Sequence, residues 1–353
     1  MPVDPLLFQP RFEEKIWGGR RLHTLLDKAL PPGVPIGESW ELSAVENSET
    51  VVTSGILAGR SLGSLFEESP YELVGAAASN YPAFPLLIKF IDANDRLSIQ
   101  VHPDDRSARG RYREPFGKTE CWYIVDAGKN GQLGLGFKRT LTQNDLREAV
   151  ATGEIEQLLN TVRVKTGEVY FVPAGTVHTI LDDLVIYEVQ QNSNTTFRLY
   201  DWKRTDSSGN PRPLHIDEAV NAADLAFRQS YRITPLHLDT PDYRHCIRVA
   251  CPYFALEEYF TEAAAVIKLS PKKSCRIVTL LTGGADLAWE GGNRALATGS
   301  TVLIPAALEN CIVYAKVGCR FLLTTIPDIK DEIEKPLREA GFSPEAIASL
   351  GSG

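Results

Sequence analysis

The chain has 353 residues, of which 43% are hydrophobic and 23% are charged, so it is long enough for a large core and for two folded modules. A net charge of −8 argues against nucleic acid as the main partner, although a local cluster of lysine and arginine can still bind a small anion. No apolar run approaches membrane length and no secretion signal is found, so we expect a cytoplasmic protein without a membrane partner.

Six cysteines occur without a CxxC pair. In a chain of this length they are typical of reduced, mostly buried thiols in an intracellular protein.

The first 80 residues are predicted to form short strands and short helices. Trp17 is followed by two glycines, a pattern that indicates either a close approach of backbone or a turn beside a core tryptophan. A short helix is predicted at 21–26, and polar–apolar alternation predicts a half-buried strand at 37–44.

Candidate site residues begin in the next strands. Lys89 interrupts the apolar strand 85–92, where it either extends to the surface or meets an anion. In the strand that follows Leu97, Gln100 and His102 are two residues apart, so their side chains share a face. Glu120 opens another strand, and the glycines of 128–136 predict a hairpin turn that lacks the spacing of a phosphate-binding loop.

A helix is predicted to start after Thr142, and from residue 162 the chain is rich in strands. His178 follows a strand and a Pro-Ala turn, Glu188 lies in the strand 184–190, and Arg198 lies in the strand 195–202. A further helix is predicted at 216–227.

The segment Gly167-Glu-Val-Tyr-Phe-Val-Pro-Ala is echoed by Gly299-Ser-Thr-Val-Leu-Ile-Pro-Ala. Each copy reads as a strand that ends in a Pro-Ala turn, but no histidine follows the second. The echo predicts a mainly β protein of two β-barrel modules with a small helical portion, one module carrying a site and one degenerate. We place the first module at 1–235, the second at 236–327 and a helical tail at 328–353.

Two histidines, a carboxylate and an amide oxygen suit Zn(II) or a neighbouring divalent ion. From the residues alone, the alternative stays open that His102 and His178 are hydrogen-bonded core residues and that Glu120 forms a salt bridge at the barrel rim.

The chain resembles the type I mannose-6-phosphate isomerases, in their shorter bacterial branch. The resemblance is carried, in order, by Leu97-Ser-Ile-Gln-Val-His-Pro-Asp-Asp, Gly-Lys-Thr-Glu120, Val-Pro-Ala-Gly-Thr-Val-His178 and Asn192-Ser-Asn-Thr-Thr-Phe-Arg198. It implies cupin-type β-barrels, one zinc ion per chain and a sugar-phosphate substrate. It leaves the oligomeric state unknown.

The resemblance also implies roles for individual residues. The metal ligands would be Gln100, His102, Glu120 and His178, and the catalytic residues Arg198 and Lys118. Thr119 replaces the proline of the family's Lys-Pro-Glu motif, and Asn194 replaces an acidic residue of the longer branch. Substrate-binding candidates are Trp17, Lys89, Ser98 and Glu188.

The implied reaction interconverts mannose 6-phosphate and fructose 6-phosphate through an enediol, with Lys118 or Glu188 as the base. Two alternatives remain. One is another metal-dependent cupin enzyme such as an iron dioxygenase, which also uses two histidines and a carboxylate. The other is a sugar-phosphate-binding cupin without catalytic activity.

Overall fold

The computed structural model describes residues 4–205 and 209–351, which form mainly antiparallel sheets. The strands of the N-terminal part are β1 (Leu6–Gln9), β2 (Arg11–Gly19), β3 (Ile36–Leu42), β4 (Val51–Val52), β5 (Leu86–Ala93), β6 (Ile99–Val101), β7 (Glu120–Ala127), β8 (Gln132–Phe137), β9 (Leu159–Arg163), β10 (Val169–Val172), β11 (His178–Ile180), β12 (Leu184–Gln191) and β13 (Phe197–Tyr200). The helices of this part are α1 (Arg21–Leu26), α2 (Leu62–Glu68), α3 (Pro70–Val74), α4 (Asp105–Ser107), α5 (Gln143–Thr152), α6 (Ile155–Leu158) and α7 (Ile216–Ala222).

The C-terminal part is also built mainly of antiparallel strands. Its strands are β14 (Leu236–His237), β15 (Arg244–Ala250), β16 (Ala255–Phe260), β17 (Ala265–Leu269), β18 (Arg276–Thr282), β19 (Gly284–Trp289), β20 (Gly292–Ala297), β21 (Thr301–Ile304), β22 (Cys311–Ala315) and β23 (Arg320–Thr325). Its helices are α8 (Lys335–Glu339) and α9 (Pro344–Ala348).

The two halves repeat one strand order. In the first, β5-β12-β7-β10 lie side by side in one sheet and β6-β11-β8-β9 in the other. In the second, β16-β23-β18-β21 and β17-β22-β19-β20 reproduce both sequences of neighbours. Each half therefore contains an eight-stranded jelly roll, and the prediction of two cupin-like barrels is confirmed.

Each barrel has its own apolar interior between its two sheets. Trp122, Ile124 and Leu135 belong to the first, and Val278 and Phe321 to the second. A third cluster joins the barrels, because residues on the outer face of the first barrel's larger sheet pack against the second barrel's larger sheet. Alternate residues of the shared strands thus belong to different cores.

The N-terminal strand crosses between the halves. β1 pairs with β21 and with β4, so it extends the sheet of the second barrel. The boundary between 235 and 236 stays a prediction.

Some local predictions were wrong. Strand β3 is buried on both faces rather than one, since Ser39 and Glu41 are covered and Lys28 Nζ meets Glu41 Oε2 at 2.6 Å. The glycines after Gly128 do not form a hairpin, because β7 and β8 belong to different sheets. The helix that starts at Ile216 ends at Ala222, five residues early.

Other local predictions are confirmed. Thr142 and Asp145 form a reciprocal cap at the start of α5, and Gly153 ends that helix in a left-handed conformation. A Cβ on Gly18 would lie 2.5 Å from the Gly37 nitrogen, so the glycines after Trp17 do allow a close approach of backbone. All six cysteines are buried. Within the described chain, no helix combines the length and apolar character needed to span a bilayer.

Candidate metal and substrate site

Strand ends of the first barrel bring the predicted ligands together. Gln100 lies in β6, and His102 follows that strand by one residue. Glu120 begins β7, and His178 begins β11 directly opposite Gln100. Ligand-type atoms of His102, Glu120 and His178 all lie within 4.8 Å of one another, and the three residues are buried. Within residues 4–205 and 209–351 no second group of this kind is found.

Hydrogen bonds fix which nitrogen of each histidine faces the centre. Nδ1 of His102 donates to the Thr195 carbonyl at 2.9 Å, and Nδ1 of His178 donates to the Thr176 carbonyl at 2.8 Å. A carbonyl only accepts, so both Nε2 atoms carry lone pairs. His102 Nε2 then lies 3.3 Å from Glu120 Oε1, acceptor against acceptor. A cation between them would satisfy both, so the donor set fits a divalent metal ion.

Burial of the cluster shifts the pKa values of its members. It lowers the pKa of His102 to about 3, with the Lys118 ammonium adding to the effect, and it lowers the pKa of His178. Burial alone would raise the pKa of Glu120, but the neighbouring Lys118 ammonium holds it well below its usual range. The cluster therefore presents two neutral imidazoles and one carboxylate.

Gln100 reaches the same point through its amide. Its Nε2 donates to His178 Nε2 at 3.3 Å, and its Oε1 accepts from Ser98 Oγ at 3.2 Å. The two arms of an amide are interchangeable by rotation, so the oxygen can face the cluster in place of the nitrogen. Gln100 is thus placed beside the group, with its orientation set by what occupies the centre.

Two buried lysines flank the cluster. Lys118 Nζ is 3.1 Å from Glu120 Oε1. Lys89 Nζ is 2.7 Å from Glu188 Oε2, and the other oxygen of Glu188 accepts from the Trp122 indole at 2.7 Å. Burial lowers the pKa of Lys89 to about 8. Lys89 therefore meets an anion inside the barrel and does not extend to the surface.

A cavity of about 190 Å³ opens beside the cluster. Its wall includes all the predicted residues except the two histidines, namely Trp17, Lys89, Ser98, Gln100, Lys118, Glu120, Glu188 and Arg198. The predicted set thus converges on one polar chamber.

Three charged residues of this wall, Lys15, Glu38 and Arg212, were missed. Glu38 accepts from the Trp40 indole at 2.6 Å and lies 3.9 Å from Lys89 Nζ. Glu38 lies two residues before Trp40 in β3 and therefore shares its face, and this spacing was the signal that could have revealed it. Arg212 lies within a polar segment and carried no comparable signal.

Arg198 and Arg212 bring positive charge to the same wall. Asp201 holds Arg212 through two bonds of 2.7 and 2.6 Å. Burial, together with the charge of Arg212, lowers the pKa of Arg198. The Asp201 carboxylate acts in the opposite direction but does not cancel this effect. The Nε of Arg198 has no hydrogen-bond partner among the described residues. Paired guanidinium groups at a cavity wall suit an anion such as a phosphate.

The second barrel is different at the matching place. Glu120 pairs with Val172 before one Pro-Ala turn, and Arg276 pairs with Ile304 before the other. Arg276 thus occupies the position of Glu120, and its guanidinium donates to the carbonyls of Leu269 and Leu308.

Comparison with known proteins agrees with this geometry. Residues 6–131 match the family model of the phosphomannose isomerase type I catalytic domain. The chain is 34% identical to the mannose-6-phosphate isomerase of Streptococcus mutans, over 87% of this chain and 94% of that protein. It is 35% identical to ManA of Bacillus subtilis, a mannose-6-phosphate isomerase, over 80% and 87% of the two chains.

Solved structures show the same likeness. The mannose 6-phosphate isomerase from Bacillus subtilis superimposes with a TM-score of 0.84 at 31% identity, over 91% of this chain and 99% of that one. A variant of the phosphomannose isomerase from Salmonella typhimurium shares the fold with a TM-score of 0.74 at 18% identity, over 92% and 99% of the two chains.

Proposed function

Because the chain belongs to the type I phosphomannose isomerase family, we propose that it is an aldose–ketose isomerase that interconverts mannose 6-phosphate and fructose 6-phosphate through an enediol. The observation that carries the proposal is the convergence of His102, Glu120 and His178 beside a cavity that also contains Lys118 and Arg198.

We assign one divalent metal ion, zinc by its donor chemistry, to His102, Glu120 and His178, with the amide oxygen of Gln100 as a fourth ligand. When bound, such an ion stabilises negative charge on the sugar oxygen next to the reacting carbons. The bonds from Nδ1 of both histidines to main-chain carbonyls support this assignment, since they orient the rings and increase their basicity.

The proton that moves between C2 and C1 needs a base inside the chamber. We assign this role to Lys118, whose amine lies 3.1 Å from Glu120 and forms part of the cavity wall. Glu188 is the competing candidate. Its carboxylate is already held by Lys89 and by Trp122, each at 2.7 Å, which favours a fixed, charge-balancing role.

The phosphate group is assigned to Arg198, with Arg212 beside it. Guanidinium groups are better suited to holding an oxyanion than to moving protons. Trp17, Ser98 and Lys89 then remain for the sugar ring and its hydroxyl groups.

The test is a coupled assay that follows fructose 6-phosphate formed from mannose 6-phosphate. We expect turnover that a chelator abolishes and added zinc restores. Full activity in protein shown to be free of metal would reject the metal assignment. Binding without turnover in the zinc-loaded protein would reject the enzyme, and oxygen uptake with Fe(II) would indicate a dioxygenase instead.

A further inference from the structure

The backbone around Lys118 lies just before strand β7, outside the ladder in which that strand pairs with its neighbours. The ladder of β7 begins at Glu120, so Lys118 precedes its first paired residue by two positions. The three peptide N–H groups of residues 117–119 nevertheless all have partners. Lys118 N donates to the Pro103 carbonyl at 3.0 Å, and its two neighbours donate to side chains.

Those two side chains are Asp105 and Gln191, and they are bonded to each other. Gly117 N donates to Asp105 Oδ1 at 2.7 Å, and Thr119 N donates to Gln191 Oε1 at 2.9 Å. Gln191 Nε2 in turn donates to Asp105 Oδ1 at 2.9 Å. One continuous chain of hydrogen bonds therefore runs from the residue before Lys118 to the residue after it.

Packing leaves this segment little freedom. Gln191 is 3% exposed, and a Cβ on Gly117 would lie 2.5 Å from the Asp105 nitrogen. Glycine is required at 117 because the backbone of 103–105 lies directly against it.

The second barrel also reaches this network. Tyr253, in the turn between β15 and β16, lies near Asp105, and burial together with that carboxylate raises the pKa of Tyr253 to about 12. On the outer side, Arg109 Nη2 lies 3.4 Å from Asp105 Oδ2 and is largely exposed. Asp105 is thus contacted from both barrels.

We propose that Asp105 and Gln191 are positioning residues for Lys118, and that they fix its amine relative to the sugar by holding the peptide groups on both sides of it. This inference rests on the proposed function, in which Lys118 moves the proton. Neither residue lines the cavity, so their effect is transmitted through the backbone. Displacement of a reacting group by about 1 Å can reduce a rate by about 100-fold.

The experiment compares Gln191→Leu, Gln191→Glu and the double variant Asp105→Asn/Gln191→Glu with wild type. The leucine removes both bonds of the amide. The single glutamate sets two carboxylates against each other, and the double variant restores a donor opposite an acceptor. Arg109→Ala is the matched control, since it removes a contact to the same carboxylate without touching residues 117–119.

We expect Gln191→Leu and Gln191→Glu to lose about 10- to 100-fold in kcat with KM and bound zinc close to wild type. The double variant should recover most of that loss, and Arg109→Ala should match wild type.

The inference is overturned if folded Gln191→Leu retains the wild-type kcat, or if zinc is lost in proportion to activity. Should Gln191→Leu not fold, the two glutamate variants decide, and a double variant no better than Gln191→Glu overturns the inference. Absence of isomerase activity from wild type and Arg109→Ala would instead reject the proposed function.

Discussion

Replacing Glu120 with glutamine keeps the shape of the side chain and removes its charge. In the metal-free protein this leaves Lys118 without its carboxylate partner at 3.1 Å, with both side chains 5% exposed or less. Removing one member of a buried pair lowers the free energy of unfolding by about 3–5 kcal/mol.

The same substitution removes the charged metal ligand. At a free zinc concentration 100 times its dissociation constant, wild type should gain about 2.7 kcal/mol in the free energy of unfolding. Loss of a supporting group around a metal site weakens binding by 10- to 100-fold, so loss of a direct ligand should weaken it by at least about 100-fold. The variant would then gain only about 0.4 kcal/mol at the same zinc concentration.

The assay is urea denaturation with chelator and with zinc. Glu168→Gln is the control, because Glu168 forms a salt bridge of 2.8 Å with Arg232 and takes no part in the cluster. Its loss should leave the zinc response unchanged. An equal zinc response in Glu120→Gln and wild type would refute the assignment of Glu120 as a ligand.

Three further outcomes are expected. Lys118→Met should keep bound zinc but lower kcat by about 100-fold or more. Metal analysis and steady-state kinetics check this, and near-normal turnover would mean that another residue is the base. Arg198→Lys should raise KM for mannose 6-phosphate by about 10-fold or more, because a charged hydrogen bond to phosphate is weakened, and a KM equal to wild type contradicts it. The third outcome concerns Glu257. Burial alone would raise the pKa of its carboxyl group, but Lys272 and His245 lower that pKa to about 2. Since this carboxyl is more acidic when folded, its stabilising effect should be complete above about pH 5 and lost as the pH falls towards 2. Urea denaturation at pH 6 and pH 3 should show a smaller pH effect in Glu257→Gln, and an unchanged effect would oppose this account.

Part of the candidate metal site could be predicted because some of its information is local, whereas the complete ligand set followed from the family resemblance. Strand alternation places Gln100 and His102 on one face, and the Pro-Ala turn ahead of His178 marks a strand end. The repeated turn likewise pointed to two barrels, which the matching strand orders confirm.

What escaped prediction depends on contacts distant in the chain. Glu41 gave β3 the alternation of a strand with one solvent face, but Lys28 and the second barrel cover that face. Arg212 lines the same cavity as Arg198 although it lies 14 residues further along the chain, and nothing in its sequence neighbours indicates that placement. The sequence pattern of 128–136 suited a hairpin, yet a jelly roll sends its successive strands to opposite sheets.

Arg276 makes the second barrel differ from the first in its source of positive charge. Under the proposed metal assignment, the acceptors of the first barrel bind a positive ion from solution. The second barrel instead has an arginine side chain at the matching position, and its guanidinium group is bonded to main-chain oxygens. Removing divalent ions should therefore lower the stability of the first barrel and leave that of the second unchanged. The second barrel would then keep its fold and its contacts with the first until metal is bound again.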